Sequence, residues 1–208
     1  YVLRNARKGF RMGDQKVEDL LGQLLEGMGM TAERLAEKYN ITREEQDQFA
    51  YNSQMKAINA QENGYFDEEI VPVEINSRKG HIVVTKDEGI KPNTTLEGLS
   101  KLKPVFKKDG TVTAGNSSTI NDAGAAVLLM SEEKANELNL KPMAKIIGWA
   151  SAGCDPDIMG IGPVPSTKLL MKKTGIQLSD FDLIELNEAF AAQSIAVIKE
   201  LKFDMDKV

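Results

Sequence analysis

The chain has 208 residues, 41% of them apolar, which suffices for one large domain or two small ones with a packed core. A formal charge of −5 excludes the broad basic surface that a nucleic-acid partner demands, and no apolar run reaches the roughly 18–20 residues of a bilayer-spanning helix. A single cysteine, Cys154, leaves no internal disulfide framework and fits a reducing, cytoplasmic setting.

From Thr31 to Asn63 the pattern is helical, with Leu35, Ala36 and Tyr39 on one face. Asn40-Ile41 breaks the run, and Thr42 with Glu45 forms a capping-box pair that starts a second helix ending near Asn63-Gly64. Val71, Val73 and Ile75 then alternate, and after the turn residues Asn76 to Gly80 comes Ile82-Val83-Val84, together a β-hairpin. The stretch 86–110, with Pro92 and Pro104, reads as an ordered loop region of the kind that usually carries function.

After Gly110 the texture turns small, apolar and Gly-rich. Ala123 to Met130 suits a buried helix or strand, Ser131 caps a short helix to Asn139, and Ala144 to Ala150 suits a core strand. Ser166 caps a helix that ends at Gly175, behind Lys172 and Lys173. A buried strand Phe181–Leu186 then leads into a helix over Glu188–Leu201. This alternation predicts an α/β layered core, preceded by an insertion rich in helix and loop. No internal repeat is visible.

The junction at Asn187 is chemically suggestive. An amide fixed where a strand meets a helix can stabilise the oxygen on which charge develops during acyl transfer; it can equally just cap the helix. Ser117 and Ser118, in a polar turn, can offer amides and hydroxyls to a ligand or merely satisfy their own backbone. Lysines 101, 103, 107 and 108 read as a solvated run. Gly160-Ile161-Gly162 opens like a dinucleotide fingerprint, but Pro163 follows and the third glycine is missing. His81, beside the hairpin turn, reads as an exposed spectator. Cys154, with no basic neighbour in sequence, reads as a passive thiol.

The segment Asn187-Glu188-Ala189-Phe190-Ala191-Ala192-Gln193 resembles the NEAF motif of the thiolases, which condense or cleave acyl-CoA thioesters. Gly115-Asn116-Ser117-Ser118, continuing through Asn121-Asp122 to Ala126, resembles the GNSS…NDGAAA segment of the same family, in the same order. The likeness runs from Gly9-Phe10-Arg11-Met12-Gly13-Asp14 to the final helix. It implies a thiolase-like layered αβαβα core, here incomplete, with an inserted α+β loop domain. On that division 1–110 is the CoA-binding loop domain, 111–153 the end of the first core half and 154–208 the start of the second. It also implies that Asn187 orients a water in an oxyanion hole. Ala114, Ser117 and Ser118 would line the pantetheine channel, and Met159, Ala189 and Phe190 the acyl pocket. Lys91 and Phe106 would lie at the adenine-ribose end, Lys91 near the 3′-phosphate where many members carry Arg. The substrate implied is a coenzyme A thioester, with no prosthetic group and no metal. A homodimer or homotetramer is implied, without nucleic acid or membrane.

Thiolases also use a nucleophilic Cys, a Gly-His-Pro histidine and a second Cys. Cys154 and His81, the one cysteine and one histidine here, lie in no matching motif. The reading is therefore the central part of a short-chain acetyl-CoA acetyltransferase, inactive alone and partnered by the remaining thiolase segments. The alternative is a non-catalytic acyl-CoA-binding or interaction module. Two further departures stand out: the run 20–26 ahead of Gly27-Met28-Gly29 is short and lacks the family's His before Met-Gly, and Gly98 replaces a common Ser.

Overall fold

A computed structural model describes residues 27–78 and 80–208; the block Gly9 to Asp14 and the shortened run 20–26 lie outside them. Helix α1, Met28–Lys38, begins three residues before the expected Thr31, whose hydroxyl donates to the Met28 carbonyl at 2.7 Å. Its buried stripe, Thr31, Ala32, Leu35 and Ala36, follows helical spacing. Asn40, at φ 49, turns the chain into α2, Arg43–Glu62.

The capping box is present as expected. The Thr42 hydroxyl accepts from the Glu45 amide at 3.1 Å, and the Glu45 carboxylate accepts from the Thr42 amide at 2.7 Å. That backbone bond, with the Lys199 ammonium 2.9 Å away, holds the Glu45 carboxyl below the usual carboxylate range. A carboxyl lowered in the folded state stabilises above its unfolded value and loses that contribution as pH falls through the lowered one. Glu45→Gln in the full-length protein should therefore flatten the fall in stability below about pH 4.5, where carboxyls ordinarily titrate. Denaturant unfolding followed against pH checks this, and identical acid slopes would refute it.

Strands β1, Val73–Ser77, and β2, Gly80–Val84, pair antiparallel with Ile75 opposite Ile82 and Asn76 opposite His81. The His81 Nδ1 lies 2.9 Å from the Asn76 side-chain oxygen on the exposed hairpin, a spectator's setting. The 86–110 stretch is ordered by one short helix, α3, Leu96–Ser100, whose cap Thr95 accepts from the Gly98 amide at 3.0 Å. Helix α4, Glu132–Glu137, is capped by Ser131 as expected.

Two helix starts differ from expectation. Helix α5 is Pro163–Thr174 with Gly162 as its cap; Ser166 lies inside it, donating back to the Gly162 carbonyl at 2.8 Å. Proline at the first position needs no amide partner and so sets the start itself. Gly175, at φ 77, closes the helix as expected. Helix α6 is Ala191–Leu201, three residues shorter than expected, because Phe190 is still extended at φ −145.

The core forms around α6. Ala192, Ala196, Val197 and Leu201 pack with Leu35 and Ala36 of α1, with Ile41, with Val164 of α5, and with Ile161 from the 3-10 helix Pro156–Ile161. Small side chains on α6 let its neighbours approach closely.

The two expected core strands, 144–150 and 181–186, form no ladder among the described residues, whose one sheet is β1 with β2, and 123–130, expected as helix or strand, is neither. Side chains meant for a core stand out instead: Leu128 is 80% exposed, Ile147 67% and Leu183 83%. Trp149 is 76% exposed, with the Lys173 ammonium 5.5 Å from its ring centre. Along 181–186 the Ile184 amide donates to the Lys207 carbonyl at 2.8 Å and the Phe181 carbonyl accepts from the Lys207 ammonium at 2.7 Å, contacts that make no ladder. The cause is non-local. Apolar β-prone sequence creates a tendency, but a strand needs a neighbour's backbone groups, and no described segment supplies them.

Candidate functional site

The site is built on a polar loop clasped from α1. The Glu33 carboxylate, 2% exposed, accepts from the Thr111 amide at 2.9 Å, the Val112 amide at 2.9 Å and the Thr111 hydroxyl at 3.1 Å. The next turn closes on Asn116, also 2% exposed. Its side-chain oxygen accepts from the Thr113 amide at 2.8 Å, and its NH2 donates to Asp47 at 3.0 Å and to the Thr111 carbonyl at 3.1 Å. Asp47 is held by Arg43 at 2.8 Å, and Arg43 also donates to the Leu99 and Leu102 carbonyls. One network thus ties α1, α2, α3 and the loop together.

This loop is joined to the segment before α6. The Ser118 amide donates to the Ala189 carbonyl at 3.0 Å and the Ala191 amide to the Asn116 carbonyl at 2.9 Å, bracketing a bridge between Ser117 and Phe190. Ser53 of α2 adds a 2.5 Å bond to Glu188. A cleft opens on each side of this junction.

The larger, about 550 Å³, is lined by Lys91, Ala114, Ser117 and Ser118, with Ser53 and Glu188. The smaller, about 260 Å³, is lined by Met28, Met159, Asn187, Ala189, Phe190 and Gln193. Eight of the nine residues singled out from sequence therefore fall into two adjoining clefts, four in each. The ninth, Phe106, sits against Gly29 and edge-on to Phe190, centroids 6.1 Å apart. Phe106 lines neither cleft but touches Phe190 of the smaller cleft's wall.

Asn187 precedes the α6 cap, Phe190, by three residues, is exposed and makes no hydrogen bond among the described residues, so the helix-cap reading fails. Its amide is open to the smaller cleft. Lys91 donates its backbone amide to Gln54 at 2.8 Å and its ammonium to the Glu88 carbonyl at 3.2 Å, while the ammonium stays exposed at the larger cleft. The Cys154 thiol donates to the Met159 carbonyl at 3.5 Å, in keeping with a passive thiol.

Sequence reasoning missed Glu33, Gln193 and the Ser53–Glu188 bond. For Glu33 a signal existed: it lies within the stripe that also holds Ala32, Leu35 and Ala36, a place where a carboxylate needs partners.

The family comparison agrees with this geometry. The model of the thiolase N-terminal domain matches residues 1–133 and that of the thiolase C-terminal domain residues 140–208; the chain belongs to the thiolase family. It is 55% identical, over 217 aligned positions, to a protein described as a probable acetyl-CoA acyltransferase from Staphylococcus aureus, covering 100% of this chain and 55% of the relative. The alignment is longer than the chain, so the relative carries residues that this chain lacks.

Among solved structures, the acetyl-CoA acetyltransferase of Bacillus anthracis superposes with a TM-score of 0.85 at 54% identity, covering 87% of this chain and 46% of that one. Human mitochondrial 3-ketoacyl-CoA thiolase gives 0.81 at 45%, covering 98% and 53%. The fold is the layered α/β fold of thiolases, and the chain spans about half the length of the relatives it matches.

Proposed function

We propose that the chain forms the CoA-facing part of an acetyl-CoA C-acetyltransferase, which joins two acetyl-CoA molecules into acetoacetyl-CoA or runs the reverse thiolysis. The observation that carries this reading is the unengaged Asn187 amide in a cleft adjoining a second one with an exposed lysine. An acyl-CoA is a long ligand with a thioester at one end and phosphates at the other. Two clefts flanking one hydrogen-bonded junction suit such a shape. The acyl group lies among Met159, Asn187, Ala189 and Phe190, with Phe106 behind Phe190. The pantetheine arm passes Ala114, Ser117 and Ser118, and the 3′-phosphate lies near Lys91.

In this reading a cysteine outside the 208 residues attacks the thioester carbonyl, a new C–S bond forms and the CoA thiolate leaves. Asn187, directly or through one water, stabilises the carbonyl oxygen as it gains charge. The 208 residues alone are inactive, since Cys154 is engaged by a backbone carbonyl and lies in no catalytic motif. Residues 1–110 act as the CoA-binding loop domain. The apolar segments 123–130, 144–150 and 181–186 pair with the remaining segments of a cytoplasmic homodimer or homotetramer, a location that the lone cysteine favours.

The test uses the full-length protein and acetoacetyl-CoA thiolysis. Lys91→Ala should raise KM for CoA roughly tenfold, the scale of one charge-assisted bond to phosphate, and leave dephospho-CoA unchanged. Absence of thiolysis in the wild type would overturn the function, and equal effects on both thiols would overturn the placement of Lys91.

A further inference from the structure

We propose that Ser53 and Gln54, successive residues of α2, are positioning residues that hold the two ends of the CoA site at a set spacing. Ser53 holds the Asn187 end through Glu188, and Gln54 holds the Lys91 end through that residue's backbone. The inference deepens the functional reading above and rests on it.

Two hydrogen bonds leave one turn of α2 for distant parts of the chain. The Ser53 hydroxyl donates to the Glu188 Oε2 at 2.5 Å, across 135 positions of sequence. The Gln54 Oε1 accepts from the Lys91 amide at 2.8 Å, across 37. Neighbours in an α-helix point about 100° apart, so a single turn can reach two different segments. Both residues line the larger cleft, and so do their partners Glu188 and Lys91.

Each bond tethers one end of the site. Glu188 directly follows Asn187, and the carbonyl of the next residue, Ala189, accepts from the Ser118 amide. The backbone beside Asn187 is thus tied to α2 through Glu188 and to the polar loop through Ala189. At the other end Gln61, seven residues along α2 from Gln54 and on the same face, donates to the Asp87 carbonyl at 3.3 Å. The 87–91 stretch is therefore held to α2 at two points. The helix itself is anchored on the polar loop, by Asp47 to Asn116 at 3.0 Å and by Gln46 to Thr111 at 2.9 Å. An acyl-CoA joins its thioester to its 3′-phosphate by a flexible arm. Protein groups that meet both ends act best when their spacing is set before the ligand arrives, and one helix sets it here.

The experiment uses the full-length protein and acetoacetyl-CoA thiolysis. Ser53→Ala should lower kcat about tenfold, leave KM for CoA within about twofold, and add nothing in an Asn187→Ala background. Glu188→Ala should repeat that loss. Glu188→Gln, whose amide oxygen still accepts, and Ser53→Thr, which keeps the donor, should stay near wild type. Gln54→Met keeps the length and removes the acceptor. It should raise KM for CoA about fivefold, leave kcat and KM for dephospho-CoA within about twofold, and add nothing in a Lys91→Ala background. Should either variant not fold, Glu188→Ala decides the first arm and Gln54→Asn, which withdraws the oxygen, the second. Wild-type kinetics in either arm, or an effect undiminished beside Asn187→Ala or Lys91→Ala, would overturn this assignment in a wild type that thiolyses acetoacetyl-CoA. A wild type that cleaves nothing would instead remove the functional reading beneath it.

Discussion

Asn187→Ala in the full-length protein should lower kcat by about 10- to 1000-fold, the range for removing one oxyanion-stabilising donor. The placement supports a loss of that kind. Asn187 lies two residues ahead of Ala189, whose carbonyl accepts from the Ser118 amide, so the backbone that carries it is tethered beside the cleft before substrate arrives.

The same geometry predicts what will not change. Phe190, not Asn187, caps α6, so removal of the side chain should leave thermal stability intact, where loss of a true cap costs about 1 kcal/mol. Asn187→Asp keeps the shape but replaces the donor by an acceptor, and should be at least as damaging as Ala. Steady-state kinetics of both variants decide the matter. If they turn over like the wild type, Asn187 is a bystander.

What could be read from sequence was local. The Thr42–Glu45 capping box, the hairpin around Asn76 to Gly80 and the Gly175 helix stop each depend on residues within a few positions, and each is present. The two motif blocks around Asn116 and Asn187 meet in the structure, joined by the Ser118–Ala189 and Ala191–Asn116 backbone bonds beside the two clefts. The segments 144–150 and 181–186 failed as strands for the opposite reason: a ladder needs a partner far away in sequence, and apolar composition cannot show whether one is at hand. Gln193 escaped notice because a glutamine early in a helix looks like an exposed residue. Only the packing of Gly160 against its stem shows that it points inward.

Glu33→Ala should bring the largest loss of stability among the polar residues of the site, about 3 kcal/mol or more in denaturant unfolding. Glu33 accepts from two backbone amides and a hydroxyl, and its removal leaves the Thr111 and Val112 amides without a partner, Val112 being fully buried. Gln does not rescue, because both carboxylate oxygens accept and one would become an NH2 facing a donor. Room for the clasp depends on Gly110, where an added Cβ would sit 2.2 Å from Glu33 Oε1, so Gly110→Ala should mimic Glu33→Ala more mildly. The functional signature differs from that of Asn187. The clasp sets the loop carrying Asn116, and through it Ser117, Ser118 and the larger cleft, so KM for CoA should rise more than kcat falls. An unfolding midpoint equal to wild type, or a loss confined to kcat, would show that the loop holds its place without the carboxylate.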